Sequence, residues 1–241
     1  MGYIGNFPTA LPLSSNDLND GIVTTSKLAN DSVNASKLDE TDNYAFTGTV
    51  SGAGAWNLIS TNEITTAVNT VEWTGLDDTY KVYVAVINNM QLTGDGGIGF
   101  RIGDSGGYKT SNYRYTGFES VANTTAINGV GNTSSNRISL SGSHYNFGGD
   151  TFESANLTIW FYNLRGTSGH KHFLAHTSFV EAGNYHAQSL YSGRLYETTA
   201  MDRIQFGNIG GGQNMDTGTF SLYGVSQKNI VMVYWLILLK K

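Results

Sequence analysis

Asn156-Leu157-Thr158-Ile159-Trp160-Phe161-Tyr162 places Leu157, Ile159 and Phe161 on one side of an extended chain and Thr158, Trp160 and Tyr162 on the other. A period of two is that of a β-strand, whose successive Cβ atoms point to opposite faces. The stretch therefore reads as a half-buried strand with an aromatic, partly exposed outer face. Working outward, runs of similar length and make-up recur at Trp56–Ser60, Ile64–Trp73, Tyr80–Asn88, Ile98–Ile102, Tyr113–Phe118, Asn136–Leu140, His172–Val180, Ala187–Tyr196, Arg203–Phe206 and Thr217–Val225. Within one of them Val82, Val84 and Val86 oppose Lys81, Tyr83 and Ala85, which suits a sheet with a semi-polar outer face. Turn signals at Gly75, Gly94-Asp95-Gly96-Gly97, Gly148-Gly149 and Gly210-Gly211-Gly212 separate the runs. The spacing predicts an all-β, antiparallel, jelly-roll-like β-sandwich head over residues 55–226.

Composition agrees. Thirty Gly against 2 Pro, with 14 Tyr and 11 Phe, favour short strands and tight turns over helices. The formal charge is −5, from 14 basic and 19 acidic side chains, so no basic surplus exists to neutralise a phosphate backbone and nucleic-acid binding is not expected. The absence of Cys excludes disulfides, thiolate nucleophiles and Cys-ligated metals. The opening Met1-Gly2-Tyr3-Ile4-Gly5-Asn6-Phe7-Pro8 lacks the basic and apolar regions of a signal peptide, so export by that route is not expected.

Before the head, Ile22-Val23-Thr24-Thr25-Ser26-Lys27-Leu28 aligns with Ser32-Val33-Asn34-Ala35-Ser36-Lys37-Leu38, a ten-residue repeat. Leu13, Leu18, Val23, Leu28, Val33 and Leu38 thus recur every five positions, a period that fits neither helix nor strand. One apolar residue in five cannot offset a backbone ordering cost of roughly 1–2 kcal/mol per residue within a single chain. Two readings follow: a polar linker, or a stalk over residues 13–50 wound around identical copies. The second is preferred.

Gly2-Tyr3-Ile4-Gly5 and the two decads ending at Leu28 and Leu38 resemble the N-terminal and stalk regions of tail-fibre-like virion structural proteins of tailed bacteriophages, particularly marine ones. Gly218-Thr219-Phe220-Ser221-Leu222-Tyr223-Gly224-Val225 is similar to the last strand of phage fibre heads. The resemblance implies a homotrimer in the virion. It places an attachment segment at residues 1–12, with Tyr3, Ile4, Phe7 and Pro8 docking on other virion proteins of the tail or capsid, and a trimer stalk that uses Leu18, Val23, Leu28, Val33 and Leu38. Its head would bind a host receptor or surface glycan, without enzymatic activity or cofactor. Alternatives are a head fibre or capsid decoration protein, a polysaccharide depolymerase and a free lectin.

Several motifs have a chemical reading. Gly103-Asp104-Ser105-Gly106-Gly107 matches a serine-protease nucleophile segment, but every His follows Ser105 and the required His, Asp, Ser order is missing, so a hairpin turn is expected. Gly94-Asp95-Gly96-Gly97-Ile98-Gly99 has dinucleotide-type glycines without a helix after them, so a loop is expected. His170, His172 and His176 are expected on one face of a strand, where copies meeting on a threefold axis could hold a transition metal, yet exposed polar residues are ordinary there and no metal is assigned. Glu119, Asp150, Glu153, Glu181, Glu197 and Asp202 are candidates for a glycosidase pair, whose separation a sequence does not supply. The loop Tyr108-Lys109-Thr110-Ser111-Asn112-Tyr113-Arg114-Tyr115 mixes ring faces with donors, so Tyr108, Tyr113, Arg114 and Tyr115 are the receptor-binding candidates. Finally, Ile230 to Leu239 is uninterruptedly apolar before Lys240-Lys241, about half of the roughly 20 residues a bilayer span requires. Membrane insertion is not expected, and residues 227–241 read as an apolar strand or tail.

Overall fold

The structure, a computed structural model, describes residues 56–141, 144–208 and 213–225, all of them in the unit Val50–Lys241. The attachment segment, the repeat stalk and the apolar run 230–239 lie outside the described residues. The described chain forms β1 (Trp56–Ile64), β2 (Thr70–Thr74), β3 (Val82–Leu92), β4 (Gly99–Asp104), β5 (Gly107–Tyr108), β6 (Tyr113–Val121) and β7 (Ile127–Ser135). It continues with β8 (Ile138–Ser139), β9 (Ala155–Tyr162), β10 (Lys171–Val180), β11 (His186–Leu195), β12 (Arg203–Gly207) and β13 (Met215–Val225), and no described residue is helical.

Two antiparallel sheets result, as the alternation predicts. One has eight strands in the order β1-β13-β3-β9-β10-β11-β6-β7; the other has β2-β12-β4-β5, with β8 beside β4. Sheets of eight and five strands differ from an eight-strand jelly roll, so the coarser description, an antiparallel β-sandwich, is the one that holds. The sheets meet through aromatic contacts. Phe100 of β4 sits edge-on to Phe161 of β9 at 5.0 Å and to Phe173 of β10 at 5.2 Å, and Phe206 of β12 meets Phe220 of β13 at 5.7 Å. Such pairs contribute about 0.5–1.5 kcal/mol beyond the area they bury.

On β9, Leu157, Ile159 and Phe161 enter the core and Thr158, Trp160 and Tyr162 face outward, as expected. On β3 the phase is reversed: Tyr83, Ala85 and Ile87 belong to the core cluster, and Val82, Val84 and Val86 lie on the other face. The Tyr83 hydroxyl donates to the Asp77 carbonyl at 2.6 Å, and burial pushes its pKa up to about 12. This bond lets a phenol occupy a core position that composition assigns to valine. Strand β7 was not expected, because Ile127 and Val130 are its only apolar members. It is an edge strand, held by its ladder with β6 rather than by its own burial.

Candidate functional site

The motifs with catalytic overtones resolve into structural roles. Gly103 to Gly107 is the β4–β5 hairpin, in which Asp104 accepts from the Gly106 N–H at 2.9 Å and from Lys109 Nζ at 2.6 Å. The Lys109 contact is the main reason the Asp104 carboxyl sits below its ordinary range. Gly94 to Gly97 leads directly into β4 through a bridge between Gly96 and Phe147. Glu119 is fully buried, accepting from the Tyr191 hydroxyl and from the N–H groups of His144 at 3.0 Å and Tyr145 at 3.3 Å. Burial, reinforced by Glu119, pushes the Tyr191 hydroxyl well above the usual phenol range. Glu153 is buried and accepts from the Asp150 N–H at 2.7 Å; Asp202 pairs with Arg203 at 2.8 Å. Glu181 accepts from the Tyr185 N–H and Glu197 from Asn112 Nδ2. Two carboxylates that sequence reading did not single out, Glu63 and Glu72, line a common cavity of about 380 Å³, where Gln205 Nε2 donates to Glu72 at 2.7 Å.

The stretch Tyr108 to Tyr115 is half strand, in keeping with the expected run Tyr113–Phe118. Tyr108 ends β5 on the smaller sheet, four residues form a turn, and β6 begins at Tyr113. Strand alternation then separates the candidates. Tyr113 is buried, donating from its hydroxyl to the Ile102 carbonyl and accepting from the Ile102 N–H, so it belongs to the core and leaves the recognition set. Tyr115 turns the same way and packs edge-on against buried Tyr191 at 6.0 Å. Arg114, between them, faces out and is exposed.

What Arg114 faces is set by register. Tyr162, His172, Arg194 and Arg114 are successive cross-strand neighbours over β9, β10, β11 and β6. The Tyr196 N–H donates to the Asn112 carbonyl at 3.0 Å, extending the β6–β11 ladder past Leu195. This fixes the Tyr196 ring beneath both guanidiniums, 5.1 Å from Arg114 Cζ and 5.2 Å from Arg194 Cζ, while His170 stacks on the ring at 4.1 Å. Arg114, Asn132, Thr133, His172 and Arg194 line a shallow groove of about 310 Å³. Its backing includes Gly193, where a Cβ would lie 2.5 Å from the Phe173 ring, so the glycine lets the core ring approach the sheet.

Farther along the same face the surface is apolar. Phe118, Trp160, Leu174, His176 and Leu190 surround a depression of similar size, and Phe118 remains 38% exposed. His172 and His176 share this outer face, and His170, which precedes β10, stacks on the Tyr196 ring. Among the described residues, no group of three or more His, Asp or Glu side chains is placed to hold a metal ion. No protein-family model, curated protein or solved structure matches the chain.

Proposed function

We propose that this chain is a virion structural protein of a tailed bacteriophage, a trimeric tail fibre whose β-sandwich head binds a host receptor or surface glycan. The observation that carries this reading is the outer face of the eight-stranded sheet, where rings and Arg114 stand exposed, with half-buried Arg194 opposite, on strands packed from behind by the core. Rigid placement lowers the ordering cost of binding, and three copies held by the repeat stalk raise effective concentration, increasing avidity by roughly 10²–10⁴. The fibre acts in the virion by binding alone. Among the described residues, no helix is long and apolar enough to cross a membrane.

Light scattering on the full chain, compared with a chain beginning at Ala55, tests the assembly. A trimeric full chain with a monomeric shorter form supports the stalk; a monomeric full chain removes the basis for the fibre reading and favours a head fibre or decoration protein. The depolymerase alternative draws on Glu63 and Glu72 in one cavity. It requires release of reducing ends from a polysaccharide, abolished by E63Q or E72Q.

A further inference from the structure

We infer that the groove between Arg114, Arg194 and His172 is a binding site for an anionic sugar, in which the two guanidiniums take the carboxylate or phosphate ester of the glycan. This rests on the receptor-binding reading and specifies its ligand.

Arg194 and Arg114 are directly opposed across β11 and β6. Like charges in that position repel and cost stability, so the pair is unfavourable for the fold alone. Neither arginine is ion-paired with a carboxylate among the described residues, although the chain has 19 acidic side chains against 14 basic. The nearest organised partner is instead the Tyr196 ring, which gathers both cations by cation–π attraction and is itself braced by His170. The guanidiniums thus share one ring at the groove without a neutralising anion among the described residues. A guanidinium presents a planar fork of donors that matches carboxylate and phosphate oxygens, and two forks can share one oxyanion.

The surroundings suit a sugar better than a bare ion. Tyr162, next to His172 in the register, is 36% exposed, so a flat apolar surface flanks the charge. A pyranose has one face of C–H bonds that covers such a ring, while its hydroxyls pair with amides and hydroxyls such as those of Asn132 and Thr133 in the groove. The site is an open groove, which accommodates one residue of a continuing polymer.

The test immobilises the full chain and measures binding of three probes: oligogalacturonate, its fully methyl-esterified form, and poly(glycerol phosphate). The expected result is binding of at least one charged probe, weakening as salt rises, with the neutral ester bound at least tenfold more weakly than the acid if the anion is carboxylate. Binding of poly(glycerol phosphate) alone identifies phosphate as the source. R114Q and R194Q should each reduce binding of the charged probe at least tenfold, with R194K intermediate because it keeps the charge and loses the fork. Equal binding of acid and ester without phosphate-polymer binding, no binding of either charged probe, or unchanged binding by both arginine variants overturns the assignment. Adsorption to cells that the virion infects separates the two levels: wild type and R114Q adsorbing equally defeats the anion site and leaves the receptor-binding head intact, whereas no adsorption of the wild type removes the head reading as well.

Discussion

On β9 Leu157, Ile159 and Phe161 keep 2% or less of their surface in contact with water, whereas Trp160 and Tyr162 on the same strand remain partly open to it. The contrast extends across the eight-stranded sheet. Its inner face is packed against a second sheet by Phe100, Phe206 and their ring partners, while its outer face is lined by cross-strand rows with no covering layer among the described residues. One backbone thus serves two purposes. Stability resides in the inner phase of each strand and the proposed recognition falls to the outer phase, so substitutions one residue apart should have separable consequences.

The largest expected effect is on the inner side. Phe161→Ala should destabilise by about 3–5 kcal/mol, because the ring's burial is lost and a cavity opens beside Phe100. Denaturant unfolding checks this through the midpoint. Glu119→Ala should cost about 3 kcal/mol by leaving the Tyr191 hydroxyl and two loop N–H groups without their acceptor; Glu119→Gln, which keeps an oxygen there, should cost less. A loss as large from E119Q as from E119A would make the charge, not the acceptor geometry, the important feature. On the outer side, Trp160→Ala should cost about 1–2 kcal/mol, less than Phe161→Ala, since the ring is only partly buried and no second sheet among the described residues packs over it. A cost comparable to Phe161→Ala would break the division between faces.

A smaller effect depends on pH. Lys109 and the Gly106 N–H hold the Asp104 carboxyl below its unfolded value, so its stabilising contribution is complete above the unfolded pKa of 3.8 and is lost as pH falls through the lower folded value. The pair is partly exposed, so D104N should lower stability by no more than about 1 kcal/mol near neutral pH, with the difference from wild type vanishing in strong acid. Smallest of all, Arg114→Gln should leave the unfolding midpoint unchanged or raise it by a few tenths of a kcal/mol, through relief of repulsion from Arg194.

How far the site was legible follows from the same alternation. Arg114 was found because a charged residue among tyrosines stands out locally. Arg194 was missed because it lies 80 residues away in sequence and becomes a neighbour only through the β6–β11 register. Tyr113 starts a strand, as the run Tyr113–Phe118 leads one to expect, but as a receptor-binding candidate it fails, because only the packing of β6 shows its hydroxyl turned to Ile102 in the core. On β3 the period was right and the phase wrong. Valine on one side and Lys, Tyr and Ala on the other admit both orientations, and Val84 is itself fully buried on the outer face.

By itself the sequence determined the all-β class, most strand positions and the turns between them, because period-two alternation and glycine act through local backbone geometry. It also carries the period-five repeat on which the fibre proposal depends. The tertiary structure alone decided which phase of β3 faces the core, that β7 completes the sheet, and that Arg114 meets Arg194 and Tyr196. Those outcomes depend on pairing between distant segments: register joins residues according to how strands align, and chain proximity does not encode that alignment.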